Sequence, residues 1–141
     1  MITFYFHRDK TLLGKTIRFV SRGNYNHVSI GINGYVYESN PTTGVTKRKI
    51  DNKYIDKVSF HHSFELDEEE VIYFLEEQIG KKYDFIGVLS FIWIFLKPRQ
   101  GYWFCSEMAM VALMKGLNKI EYNEKQSPQD FYYILKILPI K

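Results

Sequence analysis

Two residues, Asn33-Gly34, constrain this chain more tightly than any other pair. They separate "HVSIGI" (27–32) from "YVYES" (35–39), two short runs with alternating apolar residues. A two-residue hairpin turn needs positive φ at its central positions, and Asn-Gly meets that need at the lowest steric cost. The chain must therefore fold back on itself here as an antiparallel pair. The turn also sets the register: residues whose numbers sum to 67 face each other. A slip of one residue would turn every side chain to the opposite face of the sheet.

More strands are expected around this hairpin. Ile2 to Phe6 reads as a strand, "VTKRKI" as a strand with an exposed basic face, and "KVSFHHSFEL" as another. Thr11 to Val20 places Leu12, Leu13, Ile17 and Val20 at helical spacing. The second half of the chain is helical in pattern. Asp67 followed by Glu70 resembles a capping box before "EEEVIYFLEEQI", which stops at Gly80. A helix from about Phe104 to Lys115 ends at Gly116, and Ser127-Pro128 opens the last one. Strands first and helices later predict an α+β fold, an antiparallel sheet packed against helices. With 141 residues and no internal repeat, the chain is expected to form a single domain over 1–141.

Charge and cysteine content exclude several classes of function. The net charge is +3 and the basic residues are scattered, with small clusters at Lys47-Arg48-Lys49 and Lys81-Lys82. Nucleic-acid binders concentrate their charge more than this, so no nucleic-acid partner is expected. One cysteine, Cys105, rules out an internal disulfide and a Cys-rich zinc site. No His-Glu-x-x-His or paired-Cys spacing points to a metal, and no cofactor is implied. The N-terminus lacks the pattern of a signal peptide, which suggests a cytoplasmic or phage-associated protein. Phe85 to Leu96, "FIGVLSFIWIFL", is nearly continuous apolar sequence. As a helix it would reach only about 18 Å, against a bilayer core of about 30 Å. A buried helix is expected there rather than a transmembrane one, with peripheral contact to lipid or a partner as the other reading.

The chemistry starts from Cys105 in "YWFCSEMAM", at the start of a helix pattern. A lone cysteine is more often a small core residue than a nucleophile. At a helix start, however, unpaired N–H groups and the helix dipole favour a thiolate and could receive an oxyanion. Such a nucleophile needs a base and a group to orient that base. His61 and His62 are neighbours on a strand and cannot line one cleft, so they suit a surface or edge. His7 ends the first strand. His27 opens a strand directly after a Gly/Asn loop, where a reactive side chain can be held and still be reached. By the hairpin register Glu38 opposes Ser29, two residues from His27 on the same face. Diagonal neighbours lie about 7–8 Å apart at the backbone, within reach of a long side chain. Glu38 is therefore placed to orient His27, although an ordinary exposed strand glutamate fits the same pattern. Glu107 is better read as helpful charge in a helix first turn than as a catalytic group.

These motifs occur in a familiar order. "NHVSIGI", "YVYES", "GKKYDFIGVLSF", "WFCSEMAMVAL" and "SPQDF" together resemble the circularly permuted NlpC-type cysteine hydrolases. These are papain-like proteins of the YiiX-like group, related in topology to lecithin retinol acyltransferase. The resemblance spans roughly residues 1 to 135. It implies a permuted papain-like fold with the nucleophile at a helix N-terminus. It also implies Cys105 as nucleophile, His27 as base and Glu38 as the third polar residue. Tyr83 and Asp84 match the family's Tyr-Asp stretch, a packing and cleft-wall element. The activity implied is hydrolysis of an amide, such as a cell-wall stem peptide, through a thioester. Hydrolysis or transfer of a lipid acyl group is the alternative, and a non-catalytic module on the same fold is a third. The partner implied is a peptide or an acyl-containing substrate. Many relatives begin with a Gly-Asp pair and carry an export signal; this chain opens with "MITFYF".

Overall fold

The computed structural model describes residues 1–86, 101–119 and 126–138. Five strands form one antiparallel sheet: β1 (Ile2–His7), β2 (His27–Ile32), β3 (Tyr35–Asn40), β4 (Gly44–Lys49) and β5 (Val58–Phe64), in the order β4-β3-β2-β1-β5. The helices are α1 (Leu12–Ser21), α2 (Asn52–Ile55), α3 (Glu68–Gln78), α4 (Cys105–Gly116) and α5 (Pro128–Ile137). Two short strands, β6 (Lys82–Tyr83) and β7 (Tyr102–Trp103), pair in parallel apart from the main sheet. The architecture is α+β, as the order of strand and helix patterns implies.

The Asn33-Gly34 turn forms with φ of 50° and 78°. Ile30↔Tyr37, Gly31↔Val36 and Ile32↔Tyr35 face one another, each pair summing to 67. The register sorts the sheet into two faces. Phe4 and Phe6 lie opposite Ile30 and Val28 on one face, all fully buried. Phe131 of α5 packs edge-on against Phe4 at 5.2 Å between ring centres and stacks on Phe6 at 6.0 Å. Tyr5, His7, His27 and Ser29 point to the other face, where α2 brings Tyr54.

Local chemistry places the helix ends. The Asp67 side chain accepts the Glu70 N–H, and Gly80 follows α3 with φ of 84°. Ser127 forms a reciprocal capping box with Asp130, with Pro128 in the first turn. Two short elements lie beyond those expected. Helix α2 and the β6–β7 pair were not expected; each is too short to produce a periodic signal. The helix expected over Thr11–Val20 forms as α1, with Ile17 buried and Leu13 and Val20 half-buried, while Leu12 points to solvent. The helix expected over Phe85–Leu96 lies from residue 87 onward outside the described residues. No helix among the described residues is long and apolar enough to cross a membrane.

Candidate active site

Three elements converge at one end of β2. His27 is its first residue, and Glu38 reaches it across the hairpin on the same face. His27 Nε2 and Glu38 Oε2 are 3.2 Å apart, with side chains only 16% and 13% exposed. Cys105 is the first residue of α4, which packs against β2 and β3. The Ser39 hydroxyl donates to the Trp103 carbonyl at 2.7 Å, tying β3 to the segment that runs into Cys105. The next residue on, Phe104, is the α4 N-cap and offers no side-chain cap. The first N–H groups of the helix therefore have no intrahelical partner and no cap from the Phe104 side chain; the first helical bond runs from Met108 N–H to the Phe104 carbonyl at 3.0 Å.

The electrostatics of His27 record both neighbours. Burial works against an imidazolium here. Hydrogen bonding with Cys105, then with Glu38, and the negative charge of both outweigh it, raising the pKa to about 10. With Nε2 turned to Glu38, Nδ1 is the nitrogen left for the sulfur. Burial likewise works against ionisation of Glu38. His27 and then Arg48 outweigh it and hold the carboxyl at about 2. Glu38 is thus an anion gripped from two sides, by His27 on Oε2 and by Arg48 Nε on Oε1 at 3.0 Å.

A second polar cluster sits directly behind. His7 lies opposite His27 across the β1–β2 pair, with ring centres 5.4 Å apart. Its Nδ1 donates to the Lys57 carbonyl at 3.3 Å, so Nε2 is the acceptor, 3.1 Å from both the Ser29 and Tyr54 hydroxyls. Burial, and next the charge on His27, lower the His7 pKa to about 4. The Arg48 guanidinium lies over the Tyr54 ring at 4.6 Å, linking the two clusters.

The remaining residues fall where their local patterns suggest. Tyr83 is buried, edge-on to Phe104 at 5.9 Å, and its phenol is held neutral by burial and then by the nearby Cys105. Asp84 is buried and donates its backbone N–H to the Trp103 carbonyl at 3.2 Å. Glu107 accepts the Phe104 backbone N–H, while burial raises its carboxyl pKa; it secures the turn before Cys105. His61 and His62 lie on the edge strand β5, His61 beside Tyr5 with ring centres 6.2 Å apart and His62 stacked on Phe64 at 4.4 Å. Cys105 itself is buried.

Sequence reasoning missed Arg48, His7 and Tyr54. Arg48 lies on the exposed basic face expected of its strand, but its bond to Glu38 was not foreseen. The register across the second hairpin, Glu38↔Thr46 and Val36↔Arg48, puts it diagonal to Glu38 on the same side. Summing residue numbers around the Asn40–Gly44 turn would have found it. His7 could have been found by extending the pairing one strand further. Tyr54 had no such signal, since α2 has only four residues. Among the described residues no group of three or more His, Cys, Asp or Glu side chains could hold a metal. The chain matches no protein-family model, no curated protein and no solved structure.

Proposed function

We propose that this chain is a cysteine hydrolase that cleaves an amide, in a peptide such as a cell-wall stem peptide, through a thioester. Cys105, His27 and Glu38 are the proposed triad, on a permuted papain-like fold of the NlpC type. One observation carries the reading. His27 stands between a thiol at a helix start and a carboxylate, and both raise its affinity for a proton. A cysteine that only filled space would have no need of an imidazole, least of all one oriented by a buried carboxylate.

In this reading the Cys105 proton passes to His27, and Glu38 steadies the resulting imidazolium. The sulfur attacks the carbonyl carbon. The N–H groups at the start of α4 receive the oxyanion, and the C–N bond breaks as His27 returns its proton to the leaving amine. Water, deprotonated by His27, then attacks the thioester, the C–S bond breaks and the carboxylic acid departs. A lipid acyl ester could undergo the same steps with an alcohol as leaving group.

The test is the rate of Cys105 alkylation by iodoacetamide against pH, with His27→Ala alongside. The expected result is reaction well below the free-thiol range near 8.5, lost in His27→Ala. Amide and acyl-ester panels would then assign the substrate class. A thiol that is silent until unfolding, or that titrates the same way without His27, would leave a binding module and end the enzyme reading.

A further inference from the structure

Helix α1 exposes two side chains that its own packing does not need. Leu12 and Phe19 are 83% and 86% exposed, although both are large and apolar. They are seven residues apart, two helical turns less roughly 20°, so they form one outward stripe. The inner face of the helix is already complete. Ile17 is buried, and Gly14 lies so close to Asn26 that a Cβ would come within 2.1 Å of its Nδ2.

Cations flank the stripe. Lys15 and Arg22 are exposed, each three residues beyond an apolar member, and Arg8 and Lys10 are exposed just before the helix. The acidic residue among them, Asp9, is occupied as the acceptor for the Thr11 N–H and hydroxyl. An apolar ridge bordered by long, flexible cations matches a surface that is apolar inside and negative at its boundary. A folded protein partner would call for a clustered anchor rather than two separated side chains in a basic field.

We propose that α1 docks the protein on an anionic lipid surface, with Leu12 and Phe19 entering the headgroup region and Arg8, Lys10, Lys15 and Arg22 against the phosphates. The segment leading into the helix is joined to the strand that carries His27. Asp9 is tied through its backbone N–H and carbonyl to Asn26, at 3.1 and 3.0 Å, and Asn26 immediately precedes His27. The inference does not rest on catalysis.

Co-sedimentation of the full chain with vesicles tests it, using phosphatidylcholine alone and an equimolar mixture with phosphatidylglycerol. Binding is expected on the mixed vesicles only and to weaken as salt rises. Leu12→Ser with Phe19→Ser should lower partitioning by about tenfold. Lys15→Gln and Arg22→Gln should each lower it by roughly fivefold. All four positions are exposed, so thermal melting should stay at the wild-type value. Cys105→Ser should bind like wild type, keeping this result separate from the fate of the enzyme reading. The proposal is overturned if the wild type stays in the supernatant, if the stripe variants bind equally, or if Cys105→Ser loses binding. It is also overturned if the chain ignores vesicles and forms a dimer that Leu12→Ser with Phe19→Ser dissociates.

Discussion

His7 and His27 face each other on neighbouring strands, yet one is held neutral to about pH 4 and the other charged to about pH 10. Burial acts on both in the same direction, so it cannot explain the difference. Partners can. His7 meets a carbonyl and two hydroxyls, none of which repays the desolvation of a cation. His27 meets a carboxylate and a thiol, both of which can carry negative charge. Two buried imidazoles therefore take opposite jobs: His27 can move a proton, and His7 fills the space behind it without adding charge. The charge on His27 also helps keep His7 neutral.

The strongest way to break this comparison is Glu38→Gln, which removes the carboxylate and preserves the shape. His27 should then lose part of its raised proton affinity, and alkylation of Cys105 at mildly acidic pH should slow sharply. Hydrolysis of any substrate found should fall on the order of 10²-fold or more. NMR titration of the two histidines reads the cause directly. In wild type their midpoints should lie on either side of the ordinary value near 6.5. In Glu38→Gln the His27 midpoint should fall while His7 remains low. Two midpoints near 6.5 in the wild type would remove the distinction altogether.

The two histidines also differ in how far they could be read from the sequence. His27 and Glu38 were legible because a single Asn-Gly turn sets both the pairing and the face. Cys105 was legible as a helix start because an aromatic run gives way there to helical spacing. His7 and Arg48 depend on pairings one strand further from that turn: Arg48 on the register of the Asn40–Gly44 turn, and His7 on the long β1–β2 connection, whose length does not fix the register. Tyr54 depends on a four-residue helix, below the length at which periodicity can be recognised. The fold class followed from patterning, and so did the ends of α3 and α5, where capping residues mark the starts. The outward turn of Leu12 did not, because an apolar residue at a helix start fits either face until Gly14 is seen to pack against Asn26.

A smaller effect should appear in stability against pH, and its sign differs for the two residues. A lowered histidine pKa stabilises above the unfolded value near 6.5 and loses that contribution as pH falls toward 4. That is His7. A raised one stabilises fully below 6.5 and loses its contribution as pH rises toward 10, which is His27. Glu38, lowered to about 2, adds its own loss only below the unfolded carboxylate value near 4.5. Thermal melting should therefore peak near pH 6.5 and decline on both sides. His7→Gln should flatten the decline between pH 6.5 and 4.5 and leave the alkaline side intact. His27→Gln should do the reverse. Identical profiles in both variants would mean that the pair does not divide the work as described.

Arg48 offers the finest adjustment, because it touches both clusters without belonging to either. Its Nε holds Glu38 Oε1, and its guanidinium plane covers Tyr54, the hydroxyl partner of His7. The side chain is 45% exposed, so solvent screens much of the ion pair. Arg48→Ala should cost about 1 kcal/mol or less in stability. Its clearer effect should be on the orientation of Glu38, as a several-fold loss in hydrolytic rate. Arg48→Lys is the sharper variant. It keeps the charge but loses the planar fork that can bond a carboxylate and stack on a ring at once. If Arg48→Lys restores the melting temperature but not the rate, Arg48 positions Glu38 by geometry. If it restores both, charge alone suffices, and the link from Glu38 through Arg48 to Tyr54 is packing without consequence for His27.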